Sequence, residues 1–211
     1  MGGLAVSVPS SVRSAKRTRM SPEARRDQFI GLGLTMVGDR PLEQVTIDAI
    51  AEAAGVSRAL LFHYFESKQD FHVAIARAQA TEMLACTEPD PSLGDPLLML
   101  SGSMSAFVDY VSDNRTAYTA FMRGSSSADA AMREIFDDTR AAMAARVLAH
   151  APELGIAVTP VVEVTVYGWI SFVEETTISW LTDPVITREQ LLALITAALP
   201  ALASAVPATP T

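Results

Sequence analysis

The chain has 211 residues, 49% of them hydrophobic, which is enough to bury a core and excludes global disorder. Its single cysteine, Cys86, excludes an intrachain disulfide and points to a reducing, cytoplasmic compartment. The net charge of −8 excludes a generally basic nucleic-acid binder, but residues 1–80 carry 10 Lys+Arg against 8 Asp+Glu, while residues 81–211 carry 6 against 16. A polyanion would therefore face the N-terminal part.

Residues 1–20 contain Arg13, Lys16, Arg17 and Arg19 and no acid, and read as a disordered basic arm. The basic residues follow the short apolar run, the reverse of a signal peptide. Ser21-Pro22-Glu23 then starts a helix with a capping serine, proline at the first helical position and an acid in the first turn. Phe29, Leu32, Met36 and Val37 give it an apolar stripe, and Gly31 and Gly33 suggest a close backbone approach. Thr46 caps a second helix, Ile47 to Ala53. Gly55 supplies a left-handed turn, and Ser57 opens a third helix ending near Tyr64. Ser67 starts a fourth, running through the eighties. The segment EPDPSLGDP is a loop, after which helices are expected near 95–112, 114–123, 127–150, 159–182 and 187–205, with a loose tail over 206–211. No segment alternates with period two, so the fold class is all-α, with about nine helices. The apolar region Leu154 to Val173 holds Pro160 and Glu163 and reads as a buried helix, not a membrane span.

The stretch TIDAIAEAAGVSRALLFHYFESK, residues 46–68, carries the function. Ile50, Ala54, Val56, Leu61 and Phe65 can form the inner face of two crossing helices, with Ala51 at their closest approach. This pattern is a helix-turn-helix, whose second helix enters the DNA major groove; an ordinary helical hairpin is the alternative. Outward-facing Arg58 can read a base edge, and Ser57, His63 and Tyr64 can hold phosphates.

Together with the preceding helix SPEARRDQFI, this stretch resembles the TetR family of transcriptional regulators. Thr46, Ile50, Ala51, Ala54, Gly55, Val56, Ser57, Leu61, Tyr64, Phe65, Ser67 and Lys68 carry the resemblance, over about residues 21–75. It implies DNA contacts from Thr46, Ser57, Arg58, Ala59, His63, Tyr64 and Lys68. It also implies a homodimer on a pseudo-palindromic double-stranded operator, a small-molecule effector, and repression relieved by that effector. The domains would be 21–66 for DNA binding and 67–205 for effector binding and dimerisation. Ala59 and Leu60 replace a common Gly-Thr pair, Phe62 replaces tyrosine, and Asp48 adds a negative charge near the expected DNA surface. A module on the same fold with weak or lost DNA binding is the second reading.

The resemblance places an effector pocket among the middle helices. Phe107, Tyr110, Tyr118, Phe121, Met122, Arg123, Trp169, Phe172, Glu174 and Thr176 are the candidate lining residues. Arg115 and Arg123 are the expected partners for Glu163, Glu174 and Glu175. Leu181, Leu191, Leu192, Leu194, Ile195, Leu199 and Leu202 are the candidate dimer contacts, or alternatively protomer core. An enzyme is the remaining reading, and little supports it. GLGLTMVG has the wrong spacing for a nucleotide loop, His63, His72 and His150 share no metal-ligand spacing with Cys86, and no G-x-S-x-G occurs. No catalytic residue, metal or cofactor is expected.

Overall fold

A computed structural model describes residues 20–123 and 129–205. The expected basic arm, apart from Met20, and the tail from residue 206 lie outside the described residues. Among the described residues the chain forms nine α-helices and no strand: α1 Pro22–Asp39, α2 Ile47–Ala54, α3 Arg58–Tyr64, α4 Lys68–Cys86, α5 Pro96–Asp113, α6 Arg115–Arg123, α7 Ala130–Ala149, α8 Pro160–Thr182 and α9 Arg188–Ser204. Single 3-10 turns precede α2, α5 and α8, at Leu42–Gln44, Pro91–Leu93 and Pro152–Leu154. The second of these gives local order to the expected loop EPDPSLGDP.

Local chemistry fixes most helix starts. The side chains of Ser21, Thr46 and Ser67 accept hydrogen bonds from the backbone N–H groups of Ala24, Ala49 and Asp70. Thr187 and Gln190 close a reciprocal capping box at α9. Gly55 ends α2 at φ 66°, where its N–H reaches the carbonyl of Glu52 and Val56 N–H that of Ala51. Ser57 stands at the N-cap of α3, just before Arg58, but its side chain makes no capping bond.

Two hydrophobic cores are built on this frame. The first joins Phe29 and Val37 of α1, Ile50 of α2, Leu61 of α3, Phe65, and Phe71 and Ile75 of α4; Ala117, Met132 and Ile135 of α6 and α7 complete it. The second joins Met83, at the far end of α4, to Phe107, Val111, Trp169, Ile170, Val173, Leu191 and Ile195. Helix α4 therefore belongs to both. Of the two early glycines only Gly33 marks a close approach: a Cβ there would lie 2.5 Å from Ile75 Cδ1, whereas one at Gly31 would meet nothing within 4 Å. No helix among the described residues is long and apolar enough to cross a membrane.

Candidate DNA-binding surface and effector cavity

Leu61 and Phe65 anchor α3 and its end in the first core, which leaves Arg58, Ala59, Phe62 and His63 exposed. Arg58 lies between Asp48, at 3.4 Å, and the ring of Phe62, with 5.5 Å from guanidinium carbon to ring centroid. Both partners are departures from the usual motif, and both hold Arg58 at the protein surface. Thr46 and Ser57 are exposed, and the Ser57 hydroxyl is not engaged in capping. Tyr64 is half-buried, its ring set edge-on to Phe29 at 5.6 Å and to His63 at 5.4 Å. Lys68 is exposed and donates from Nζ to the Glu43 carbonyl at 2.8 Å. One turn along α4, buried His72 is hydrogen-bonded through Nε2 to the Val45 carbonyl at 2.8 Å. Burial lowers its pKa, and Lys68 acts in the same direction, so neutral His72 donates an N–H to that carbonyl. Lys68 and His72 together strap the turn that leads into α2 onto α4.

The effector-side residues do not form one site. A cavity of about 460 Å³ lies among α5, α7, α8 and the end of α9, and of the ten expected residues only Phe107, Trp169 and Glu174 line it. Its wall also contains Met99, Met104, Met143, Val166 and Ile170, residues that sequence reasoning missed. Three unbranched, adaptable methionines on α5 and α7 were the available signal. Tyr110, Tyr118, Phe121, Met122 and again Glu174 line a second, much smaller hollow of about 40 Å³. Burial and the neighbouring Glu174 raise the pKa of Tyr118, which stays a neutral phenol. Arg123, Phe172 and Thr176 line neither space. Phe172 is 36% exposed on the outer side of α8, and Arg123 pairs with Glu175 at 2.6 Å.

The buried-carboxylate partner is also different from the expected one. Glu174 is held by Arg140 of α7, whose Nε and Nη2 donate at 3.0 and 2.6 Å. This bonding raises the Arg140 pKa, so its guanidinium stays charged. Glu163 is exposed and needs no internal partner. Arg146, also of α7, lines the large cavity and donates to the Leu84 carbonyl at 2.8 Å, to Thr87 Oγ1 at 3.3 Å, and to Glu88. It thereby joins the cavity wall to the C-terminal end of α4. No cluster of three or more His, Cys, Asp or Glu residues among the described residues could hold a metal ion.

The family model described as "Bacterial regulatory proteins, tetR family" matches residues 32–75, and the model "Tetracyclin repressor-like, C-terminal domain" matches residues 96–201. The chain belongs to the TetR family. A TetR-family transcriptional regulator from Streptomyces coelicolor is 31% identical with a TM-score of 0.76, covering 88% of this chain and 84% of that one. A regulator of the family from Rhodococcus sp. is 22% identical with a TM-score of 0.67, over 84% of this chain and 97% of that one. FadR from Bacillus subtilis, solved in complex with stearoyl-CoA, shares the fold at 15% identity and a TM-score of 0.61, over 86% of this chain and 99% of that one. Among curated relatives, the transcriptional repressor KstR2 from Mycolicibacterium smegmatis is 36% identical over 63 residues, or 30% of this chain and 31% of that protein. TetR-family regulators bind operator DNA, dimerise and bind small-molecule effectors, and they are not a family of enzymes.

Within this TetR fold the expected dimer residues separate. Leu181, Leu191 and Ile195 are buried inside the protomer, and Leu192 and Leu199 pack against the second core. Leu194 and Leu202 remain exposed on α9, and α8, which packs on α9, also exposes Val161, Val164, Tyr167 and Phe172.

Proposed function

We propose that the chain is a dimeric transcriptional repressor in the cytoplasm that leaves its operator when an apolar small molecule fills the 460 Å³ cavity. The observation that carries the reading is the exposed start of α3. Arg58 and Ala59 are free of the core, the Gly55 turn sets α3 across α2, and Lys68 lies where α4 begins. Arg58 reads a base edge, while Ser57, Thr46, His63, Tyr64 and Lys68 set the register on the phosphates. The exposed stripes of α8 and α9 pair with their copies in a four-helix interface. Two α3 helices then reach successive major grooves about 34–36 Å apart on a pseudo-palindromic site. The hydrocarbon chain of the stearoyl-CoA bound by one structural neighbour is consistent with an apolar body inside the cavity.

A gel-shift titration on the chain's own promoter region tests this. Arg58→Ala is expected to weaken specific binding by about 1–3 kcal/mol and to relax base preference at one position per half-site. Equal loss on specific and random DNA would restrict Arg58 to phosphate contact. If the native protein binds its promoter no better than random DNA, the chain is a TetR fold without operator recognition.

A further inference from the structure

Three titratable residues line the large cavity, and each already has a partner. Arg146 is bound to Glu88, Thr87 and the Leu84 carbonyl. Glu174 is held by two nitrogens of Arg140. His150 Nδ1 lies 2.8 Å from Glu153 Oε1. A charged ligand would compete with an existing partner at each of these side chains. Leaving an ion uncompensated in an apolar space is far costlier than leaving a neutral group there.

The rim is mainly apolar, and its one exposed hydroxyl, that of Ser204, already donates to the Ala201 carbonyl. Leu97 and Leu154 line the cavity and are 42% and 45% exposed, so they mark its solvent end. One polar group stands apart. Two buried hydroxyls among the described residues have no hydrogen-bond partner, those of Ser103 and Thr177, and only Ser103 belongs to the cavity wall. A ligand oxygen could give the Ser103 hydroxyl the partner it lacks.

We infer that the part of the effector inside this cavity is an uncharged, mainly hydrocarbon body with one hydrogen-bonding oxygen, which Ser103 recognises. The inference rests on the ligand-responsive reading above and adds the chemical class. A volume of about 460 Å³ is in the ordinary range for small-molecule sites, about 300–1,000 Å³, and leaves room for a chain or fused-ring skeleton. The hydrocarbon supplies affinity, since every methylene taken from water into the wall tightens binding about fourfold. The oxygen supplies discrimination.

The test uses the full-length protein and three probes on one ten-carbon skeleton: methyl octyl ketone, decanoate and decane. Binding is followed by calorimetry and operator release by fluorescence anisotropy. The ketone is expected to bind at least about tenfold tighter than decanoate and about fivefold tighter than decane, reflecting one net hydrogen bond. Ser103→Ala should remove the advantage of the ketone over decane and leave decane binding unchanged; Ser103→Cys, which keeps a weak donor, should fall between. Decanoate binding as tightly as the ketone would overturn the inference, as would equal losses for ketone and decane in Ser103→Ala. If none of the probes binds while the ligand-free protein still holds its operator, the chemical class is wrong and the DNA-binding reading is untouched. If the ketone binds with the expected preference but operator affinity does not change, the class stands and ligand-responsive regulation falls.

Discussion

Arg58 cannot serve DNA and Asp48 at once. Their charged atoms are 3.4 Å apart with side chains 62% and 67% exposed, so the pair is a solvated surface ion pair. Such pairs contribute about 0.2–1 kcal/mol, and that contribution is lost when Arg58 turns to a base. Asp48→Asn removes the competition and also removes a negative charge from the surface proposed to face phosphates. Operator affinity should rise by about 1.4–5-fold per recognition helix, or roughly 2–30-fold for a dimer engaging two half-sites. The same change has an opposite effect on the stability of the free protein. Asp48 lies in the first turn of α2, where an acid favours the helix by about 0.3–1 kcal/mol, so the melting temperature should fall slightly. Anisotropy titrations at fixed salt, for Asp48→Asn alone and combined with Arg58→Ala, separate the causes. In the Arg58→Ala background the gain should shrink to the phosphate-repulsion part. An undiminished gain there, or no gain in either background, would refute the competition.

Lys68→Ala should weaken binding to specific and random DNA alike and flatten the slope of log affinity against log salt by roughly one per half-site; an unchanged slope would mean that Lys68 serves only the Glu43 carbonyl. His72 has a folded pKa below its unfolded value of about 6.5, so the unfolded chain takes up the proton first and stability should fall as pH drops below about 6.5. Thermal melts from pH 7.5 to 5 (a range set about the ordinary histidine value) check this, and His72→Gln should flatten that part of the profile. Phe172→Ala should weaken dimerisation by about 1–2 kcal/mol in sedimentation experiments while leaving effector affinity unchanged; lost effector affinity with an intact dimer would instead place Phe172 at the cavity.

The legible features were those decided within a few residues. Ser21, Thr46 and Ser67 announce their helices because a side-chain oxygen caps an N–H three positions on. Gly55 announces its turn because few other residues take φ 66° without strain. The cavity was not legible, because it depends on which faces of distant helices meet. Trp169 and Phe172 are three residues apart on one helix, yet the first is 2% exposed and lines the cavity while the second is 36% exposed on the outside. Glu174 plainly required a partner, but its identity did not follow. Arg140 is 34 residues away and reaches it through the packing of α7 on α8, while Arg123, on the aromatic helix, took the neighbouring Glu175. The leucines of α9 divide between core and surface for the same reason, since composition does not say which side of an apolar helix faces inward.

The two halves of the proposed switch meet in α4. At its far end, Thr87 and the Leu84 carbonyl are held by Arg146, a residue of the cavity wall, so a body that displaces Arg146 acts on α4 directly. At its near end, α4 has little freedom to slide independently of α1. Gly33 lets the helices approach so closely that even a Cβ would overlap Ile75, and Phe71 and Ile75 are themselves fully buried. Close-packed contacts of this kind transmit a displacement instead of absorbing it. Lys68 and His72 extend the rigid unit to the turn that leads into α2. In the proposed switch a shift of α4 at the cavity would shift α3 at the operator, in the direction set by the state in which the effector gains more contact. An effector that fits the wall equally well in both states would change nothing, however tightly it bound. The discriminating contact must therefore be one that differs between states, and Arg146 is the residue of the wall that bonds the last turn and the C-cap of α4, the helix proposed to move.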